Sequence, residues 1–231
     1  MNKKTCVIVP AYNEAGSIVY VLESIASTGL DLDILVIDDG STDETAALVR
    51  TKSVYCISHP VNCGVGAAII TGFHWASGKG YENVVIIDAD GQHPSKYIDG
   101  LLTSLNDFEL VIGTRDWKTF STGLLRRAAH SALRAALKIK FGIDLRDITS
   151  GFRAFRIEAV RLLLPKLGDQ YLEDTVMLLV EAKNLGLSIG QYPVSIDMRY
   201  SGKPSHGLIM SGVRYIAVII KVLLHSKVRR N

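Results

Sequence analysis

The stretch Val84-Val85-Ile86-Ile87-Asp88-Ala89-Asp90-Gly91-Gln92-His93 decides how this chain is read. Four β-branched apolar residues make a short buried strand, and an Asp-Ala-Asp step ends it. Two residues apart on extended backbone, Asp88 and Asp90 point to the same side, where their carboxylates repel unless a proton or cation intervenes. A hard divalent ion meets that need. Mg2+ or Mn2+ is held by one or two carboxylates, with water and substrate phosphates in the remaining positions. The pair also fits two solvated turn acids, and the apolar run before it is what favours a site.

Outward from this stretch, the first half of the chain repeats the pattern. Runs at 5–9, 33–37, 54–58, 84–87 and 110–112 read as strands, the first four followed by amphipathic segments. Such alternation predicts an α/β fold with a mostly parallel sheet covered by helices on both faces. Ser41-Thr42-Asp43-Glu44 has capping-box spacing, and Pro94 suits the first turn of a helix running to about Leu105. Ligands of such sheets bind outside the carboxyl ends of the strands. Four motifs fall there: Pro10-Ala11-Tyr12-Asn13-Glu14, Asp38-Asp39-Gly40-Ser41, Asn62-Cys63-Gly64-Val65-Gly66 and the segment 88–93. From about Ser121 a long basic helical stretch follows, then the segment 147–156, a helix around 174–185, and two strand-like runs at 188–191 and 194–198. Neither a repeat nor a linker divides the chain, and one domain is expected over 1–231.

Composition narrows the classes. A chain of 231 residues, 48% hydrophobic and 21% charged, builds one sizeable core. A net charge of +3 is too small to argue for nucleic acid as a partner. Cys6, Cys56 and Cys63 are odd in number and lack CxxC spacing, which argues against a disulfide framework or a zinc site and fits a reducing cytosolic compartment. Met1-Asn2-Lys3-Lys4-Thr5 leads into a short apolar run closed by Pro10, unlike a signal peptide. The apolar run 215–224 is interrupted by Lys221 and falls short of the roughly 20 residues that span a bilayer. No transmembrane helix is expected.

Of Asp38 and Asp39, one is placed to bind the ribose or base of a nucleotide while its neighbour caps the turn, although Asp-Gly-Ser is also ordinary turn chemistry. Two glycines in the 62–66 loop, ahead of a helix, let backbone approach a ligand. Ile69 stands where the dinucleotide fingerprint needs its third glycine, and no Walker lysine follows, which removes the Rossmann and P-loop readings.

Taken in order, Val7-Ile8-Val9-Pro10-Ala11-Tyr12-Asn13-Glu14, Ile37-Asp38-Asp39-Gly40-Ser41, Asp88-Ala89-Asp90-Gly91-Gln92-His93, Gly113-Thr114-Arg115 and Thr149-Ser150-Gly151-Phe152-Arg153-Ala154-Phe155 resemble the inverting family 2 glycosyltransferases of the GT-A fold. Within them the likeness is to the polyprenyl-phosphate (dolichyl-phosphate) mannosyl- and glucosyltransferases, and it covers nearly the whole chain. The resemblance implies a nucleotide-sugar-binding half to about residue 115 and an acceptor-binding, membrane-surface half from about 116. It implies that Pro10, Tyr12, Glu14, Ile37, Asp38, Asp39, Asp88 and Ala89 line the donor pocket, with Arg115 and a late basic pair, Arg199 and Lys203. Asp88, Asp90 and Gln92 then surround Mg2+ or Mn2+ and the sugar diphosphate, and Ser150, Arg153, Arg127 and Arg134 meet the acceptor. Asp90, Arg115 and Asp174 are the implied catalytic residues. Glu173-Asp174 looks like the pair that supplies a base when the acceptor is a sugar hydroxyl. A phosphate acceptor is already an anion and needs little deprotonation, and Asp174 equally suits the N-terminus of a helix.

Arg127, His130, Arg134 and Lys138 recur at spacings of three and four, on one helical face, with Leu125, Ala129, Leu133, Ala136 and Leu137 on the others. A basic amphipathic helix suits a membrane surface. Leu208, Ile209, Val213, Ile216, Ile220 and Leu223 give a second apolar pattern, followed by Lys227, Arg229 and Arg230. That pattern fits either anionic headgroups or a helix packed on the core or on a partner chain. The expected partners are a nucleotide-sugar donor, a polyprenyl-phosphate or other glycan acceptor, and the cytoplasmic face of a membrane or a membrane-embedded subunit. In the expected reaction an acceptor oxygen attacks the anomeric carbon, with inversion, as the nucleoside diphosphate departs beside the metal. Haloacid-dehalogenase phosphatases share the Asp88-Ala89-Asp90-Gly91 pattern but carry it on the first strand. Nucleotidyltransferases want a Gly-rich basic loop where Pro10–Glu14 stands, and a nonenzymatic nucleotide-sugar-binding module is the remaining alternative.

Overall fold

The computed structural model describes residues 4–115, 124–167 and 175–200, together with Val222 and Leu224. Among these, seven strands form one sheet: β1 (Thr5–Ala11), β2 (Leu32–Asp38), β3 (Tyr55–Ser58), β4 (Asn83–Ile86), β5 (Leu110–Thr114), β6 (Arg153–Arg156) and β7 (Ile189–Pro193). Their order is β3-β2-β1-β4-β6-β5-β7. All pairings are parallel except those of β6, which runs antiparallel to β4 and to β5. The expected mostly parallel α/β sheet is therefore present, with one reversed strand that the sequence pattern left unassigned.

The strands read as continuous apolar runs because both faces are covered. Cys6, Ile8, Leu35, Ile37, Val84 and Ile86 pack on one face with residues of α3 (Val65–Gly78), α5 (Leu124–Phe141), α6 (Ile157–Leu163) and α7 (Thr175–Asn184). Val7, Val9, Val36, Val85 and Val111 pack on the other with α1 (Ile18–Ala26) and α4 (Ile98–Ser104). Each fully buried Val, Ile or Leu contributes about 1.5–3 kcal/mol of burial, so the alternation along β1, β2 and β4 fixes which residues leave the sheet and where. Register puts Ala11 opposite Asp38, and Tyr12 and Asp39 consequently emerge side by side.

Several expectations are corrected. Of the runs at 188–191 and 194–198, only the first falls in a strand, β7, which extends to Pro193; residues 194–199 form no strand. The capping box at Ser41–Glu44 does not form: α2 (Thr45–Arg50) starts after Glu44 with no side-chain cap, because Ser41 and Asp43 bond the loop after β1 instead. His130 does not share an exposed basic face. It is buried with Leu133, Leu137 and Phe141, while Arg127 and Lys138 are exposed. Arg134 donates from Nε to the Leu145 carbonyl at 2.6 Å, and Lys138 pairs with Asp144 at 2.6 Å, so both basic side chains brace the turn after α5. Among the described residues, no helix is long and apolar enough to cross a membrane. Glu173, Asp174, Lys203 and the apolar residues of the 208–223 pattern lie outside the described residues.

Candidate active site

Four loops meet at the carboxyl edge of β1, β2, β4 and β5. The first, after β1, is sewn to the loop after β2. Asn13 N–H donates to Ser41 Oγ at 2.9 Å, Thr42 N–H donates to Asn13 Oδ1 at 2.8 Å, Glu14 N–H donates to Thr45 Oγ1 at 2.8 Å, and Ala15 N–H donates to Asp43 Oδ2 at 3.1 Å. Asn13 holds a left-handed φ of 54°, a conformation Asn tolerates better than most residues. Tyr12 stands 44% exposed over this seam, and Pro10 beneath it is buried.

The two acids after β2 are turned inward. Asp38 accepts the Ser41 N–H at 3.1 Å, closing its own turn. Asp39 is buried and accepts from His59 Nδ1 at 2.7 Å, Cys63 N–H at 3.0 Å and Gly64 N–H at 2.7 Å. It ties the 62–66 loop to the sheet edge, and neither carboxylate stands open to the crevice. Ile37 and Ala89 are likewise buried in the core and put no side chain there.

β4 ends at Ile86, and Ala89-Asp90 already lies in a turn closed by Gly91 at φ 76°. That turn, rather than continued extended backbone, brings Asp88 and Asp90 together. The Asp90 carboxylate accepts the Gln92 N–H at 3.0 Å, the side-chain-to-backbone bond typical of such turns. Burial, then the charge of Asp88, pushes the Asp90 carboxyl above the usual range. Asp88 shifts the other way. Burial opposes its charge, yet the hydrogen bond from His93 and the nearby guanidinium groups of Arg115 and Arg153 outweigh that and hold it below the usual range. The two carboxyls are thus driven apart by their surroundings, a pattern found where acids have distinct roles.

Arg115, at the end of β5, is oriented by the Asp147 segment. Its Nε and Nη2 bond the two oxygens of Asp147, and Nη2 also donates to Thr149 Oγ1 at 3.0 Å. Asp147 is 0% exposed; burial alone opposes its charge, but the bonds and charge of Arg115 hold its carboxyl below the usual range. Arg153 lies behind Asp88. It is 2% exposed, donates to the Ser150 and Ile148 carbonyls, and burial brings its pKa down to about 10 against the charges of Asp147 and Asp88. Ser150 is also buried, accepting the Phe152 N–H. The expectation that Ser150 and Arg153 touch an acceptor is therefore corrected: both back the site from inside.

Arg199 joins two loops. Its Nη2 pairs with Glu14, and Nη1 lies 3.8 Å from Asp90. Burial raises the Glu14 carboxyl, against the Ser17 and Arg199 bonds. The backbone around Arg199 follows: Asp197 N–H donates to the Gln92 carbonyl at 3.0 Å and Tyr200 N–H to the Asp90 carbonyl at 3.1 Å, with Tyr200 stacked on Tyr20 at 4.3 Å.

Asp88, Asp90, Glu14, Arg115 and Arg199 are thus brought to one edge as expected, with Gln92 partly exposed beside them. Asp88 keeps 39% of its side chain exposed. Two hard carboxylates with an open side fit Mg2+ or Mn2+, which complete their shells with water and phosphate rather than with a protein cage. Among the described residues, one trio gathers ligand atoms within 4.8 Å, Asp39, His59 and Cys63. The Asp39 oxygens and both His59 nitrogens there are already hydrogen-bonded, His59 Nε2 to Thr71 at 2.9 Å. His93, Asp147, Thr149 and Asn13 also bond residues of this edge, and the sequence pattern alone assigns them no role. His93 was visible in the motif itself, and the Asp147-Ile148-Thr149 spacing is that of an acid turn.

The sequence profile of glycosyl transferase family 2 matches residues 6–164. Undecaprenyl-phosphate mannosyltransferase of Micrococcus luteus is 30% identical over 217 residues, 89% of this chain and 89% of that protein. UDP-N-acetylglucosamine–dolichyl-phosphate N-acetylglucosaminyltransferase of Methanococcus voltae is 31% identical, over 87% of this chain and 88% of that protein. Glucosyl-3-phosphoglycerate synthase of Mycobacterium tuberculosis shares the fold with a TM-score of 0.72 at 23% identity, over 95% of this chain and 80% of that one. With the acidic turn after β4, the oriented Arg115 and the sheet order all pointing the same way, the chain belongs to glycosyl transferase family 2 and is a glycosyltransferase of the GT-A fold.

Proposed function

We propose that this chain is a metal-dependent, inverting hexosyltransferase that moves a sugar from a nucleotide sugar of the GDP-mannose or UDP-glucose type to a polyprenyl or dolichyl phosphate at the cytoplasmic face of a membrane. The observation that carries it is the meeting of Asp88, Asp90 and Glu14 with Arg115 and Arg199 at one sheet edge. The printed names of the Micrococcus and Methanococcus relatives support a lipid-phosphate acceptor, and Mn2+ with UDP-glucose in a fold neighbour supports the metal.

Asp88 and Asp90, with Gln92 beside them, would hold Mg2+ or Mn2+, which offsets the negative charge that grows on the leaving nucleoside diphosphate. The remaining work falls to the chain's own groups. Tyr12 and the seam of hydrogen bonds below it offer the nucleotide a rigid floor. Arg115 is aimed by Asp147 and Thr149 toward a phosphate of donor or acceptor, and a guanidinium held in place before reaction needs no reorganisation at the transition state. Arg199 joins Glu14 to Asp90 and closes the crevice from above. A lipid phosphate is already an anion, and no base is demanded; Asp174 takes that role only with a hydroxyl acceptor. The part of the chain after about residue 116 then serves the acceptor. The exposed Arg127, Lys138 and 86% exposed Ile139 of α5 suit an anionic lipid surface.

The test is transfer of radiolabel from GDP-mannose, UDP-glucose and UDP-N-acetylglucosamine to undecaprenyl or dolichyl phosphate in detergent with Mn2+, read in the organic phase. Label from at least one donor, lost with EDTA, is expected. Label that moves only to water-soluble acceptors would overturn the lipid-phosphate acceptor.

A further inference from the structure

We infer that His93 and Gly151 are positioning residues that hold the Asp88 carboxylate open toward the crevice as a cation ligand; this rests on the metal role proposed for Asp88. His93 Nε2 lies 3.2 Å from Asp88 Oδ2. A carboxylate only accepts, and Nε2–H therefore donates. The imidazole packs on Phe152 with ring centroids 5.2 Å apart, and its buried Nδ1 finds no hydrogen-bond partner among the described residues. For packing alone, a histidine is a poor choice here. Phenylalanine would fill the space without leaving a buried nitrogen unpaired, which is unfavourable. What histidine adds is the bond to Asp88.

Gly151 supports the same carboxylate from another side. A Cβ built there would meet Asp88 Oδ1 and Oδ2 at 2.9 Å each and Cγ at 3.2 Å. Its φ is not among the left-handed ones, so the backbone does not require glycine; the carboxylate does. The two supports come from neighbouring antiparallel strands. His93 follows β4 and Gly151 precedes β6, where Ile86 stands opposite Arg153. The β4–β6 pairing therefore locks Asp88 between them while leaving part of it exposed to the crevice. Carboxylates that bind metals are themselves oriented by such neighbours, and losing one typically costs about 10–100-fold in metal affinity.

The experiment titrates Mn2+ into the metal-free full chain without donor, reading free Mn2+ by electron paramagnetic resonance, with thermal unfolding measured alongside. The variants are Asp88→Asn, His93→Phe, His93→Gln and Gly151→Ala. Asp88→Asn, His93→Phe and Gly151→Ala are each expected to weaken Mn2+ binding at least about tenfold. His93→Phe should melt at or above the parent temperature. His93→Gln, whose amide N–H reaches near the Nε2 position, should recover most of the affinity. If His93→Phe and Gly151→Ala bind Mn2+ like the parent while Asp88→Asn does not, the positioning role fails and the metal reading stands. Parent-like binding by Asp88→Asn overturns both. Weak binding by His93→Phe that comes with a lowered melting temperature and no recovery in His93→Gln marks a structural residue and also overturns the inference.

Discussion

Asp147 and Arg115 show how a site residue is aimed by a buried charge. Asp147 has no exposed surface and its carboxyl is held below the usual range, against the cost of burial, by the bonds from Arg115. Its folded value is depressed, and the stability it adds is present above the unfolded aspartate value of about 3.9 and is lost as pH falls through the lower folded one. Asp147→Asn should cost about 3 kcal/mol at pH 7, the scale for breaking a buried pair. The gap to the parent should close as acid protonates Asp147. Urea unfolding of both proteins at pH 7 and at the lowest pH where each still folds checks this, and a gap that widens in acid contradicts the sign. Asp90 carries the opposite sign. Its carboxyl is raised by burial and by Asp88, and Asp90→Asn removes a repulsion from the fold. That variant should melt no lower than the parent yet lose transfer by at least about 100-fold, the scale for removing one electrostatic stabiliser of a transition state. Steady-state assays with Mn2+ present decide it.

At the scale of elements, the loop after β1 and the loop before α2 act as one unit, because four backbone N–H groups are satisfied across the seam by Ser41, Asn13, Thr45 and Asp43. Asn13→Ala loses the acceptor for Thr42 N–H and puts at a φ of 54° a residue that tolerates it less well than Asn, a combined cost of about 1–3 kcal/mol. Asn13→Gly relieves the φ strain and keeps only the hydrogen-bond loss. Denaturant midpoints should fall in the order parent, Gly, Ala, and the donor KM should rise in both variants. This seam also explains what the sequence concealed. Strands β1, β2 and β4 were legible because unbroken β-branched runs mean burial on both faces, and the acids at their ends were legible because polar residues there have nothing to pack on. Asp39 turns away from the crevice because side-chain direction in a loop is set by partners distant in sequence, here His59 and Gly64, which no local pattern reveals. β6 shows no strand signal because Arg153 and Arg156 bracket only two apolar residues, Ala154 and Phe155, too short a run to read. The capping box at Ser41–Glu44 failed for a related reason: tertiary donors from the loop after β1 outcompeted the helix for the same side chains.

For the molecule as a whole, the crevice draws on segments that meet only in the folded chain: the loops after β1, β4 and β5, the turn before β6, and the 194–200 segment that crosses Asp90 and Gln92. A ligand that bridges them binds the folded state alone, and at 100 times its Kd it adds about 2.7 kcal/mol to stability. For a chain of this size each kcal/mol moves Tm by about 2–4 °C, for a total of about 5–11 °C. The size of that shift should depend on metal and donor together. If Asp88 and Asp90 reach the donor only through a divalent ion, nucleotide sugar without Mn2+ meets two carboxylates that repel its phosphates and should shift Tm little. Adding Mn2+ should then produce most of the rise. The base that the loops prefer will appear as the larger shift when UDP- and GDP-sugars are compared at equal concentration. Asp90→Asn should lose the Mn2+-dependent part and keep whatever part needs no metal. Equal shifts with and without Mn2+ would mean that Arg115 and Arg199 hold the diphosphate by themselves, and the acidic turn after β4 would then need another role.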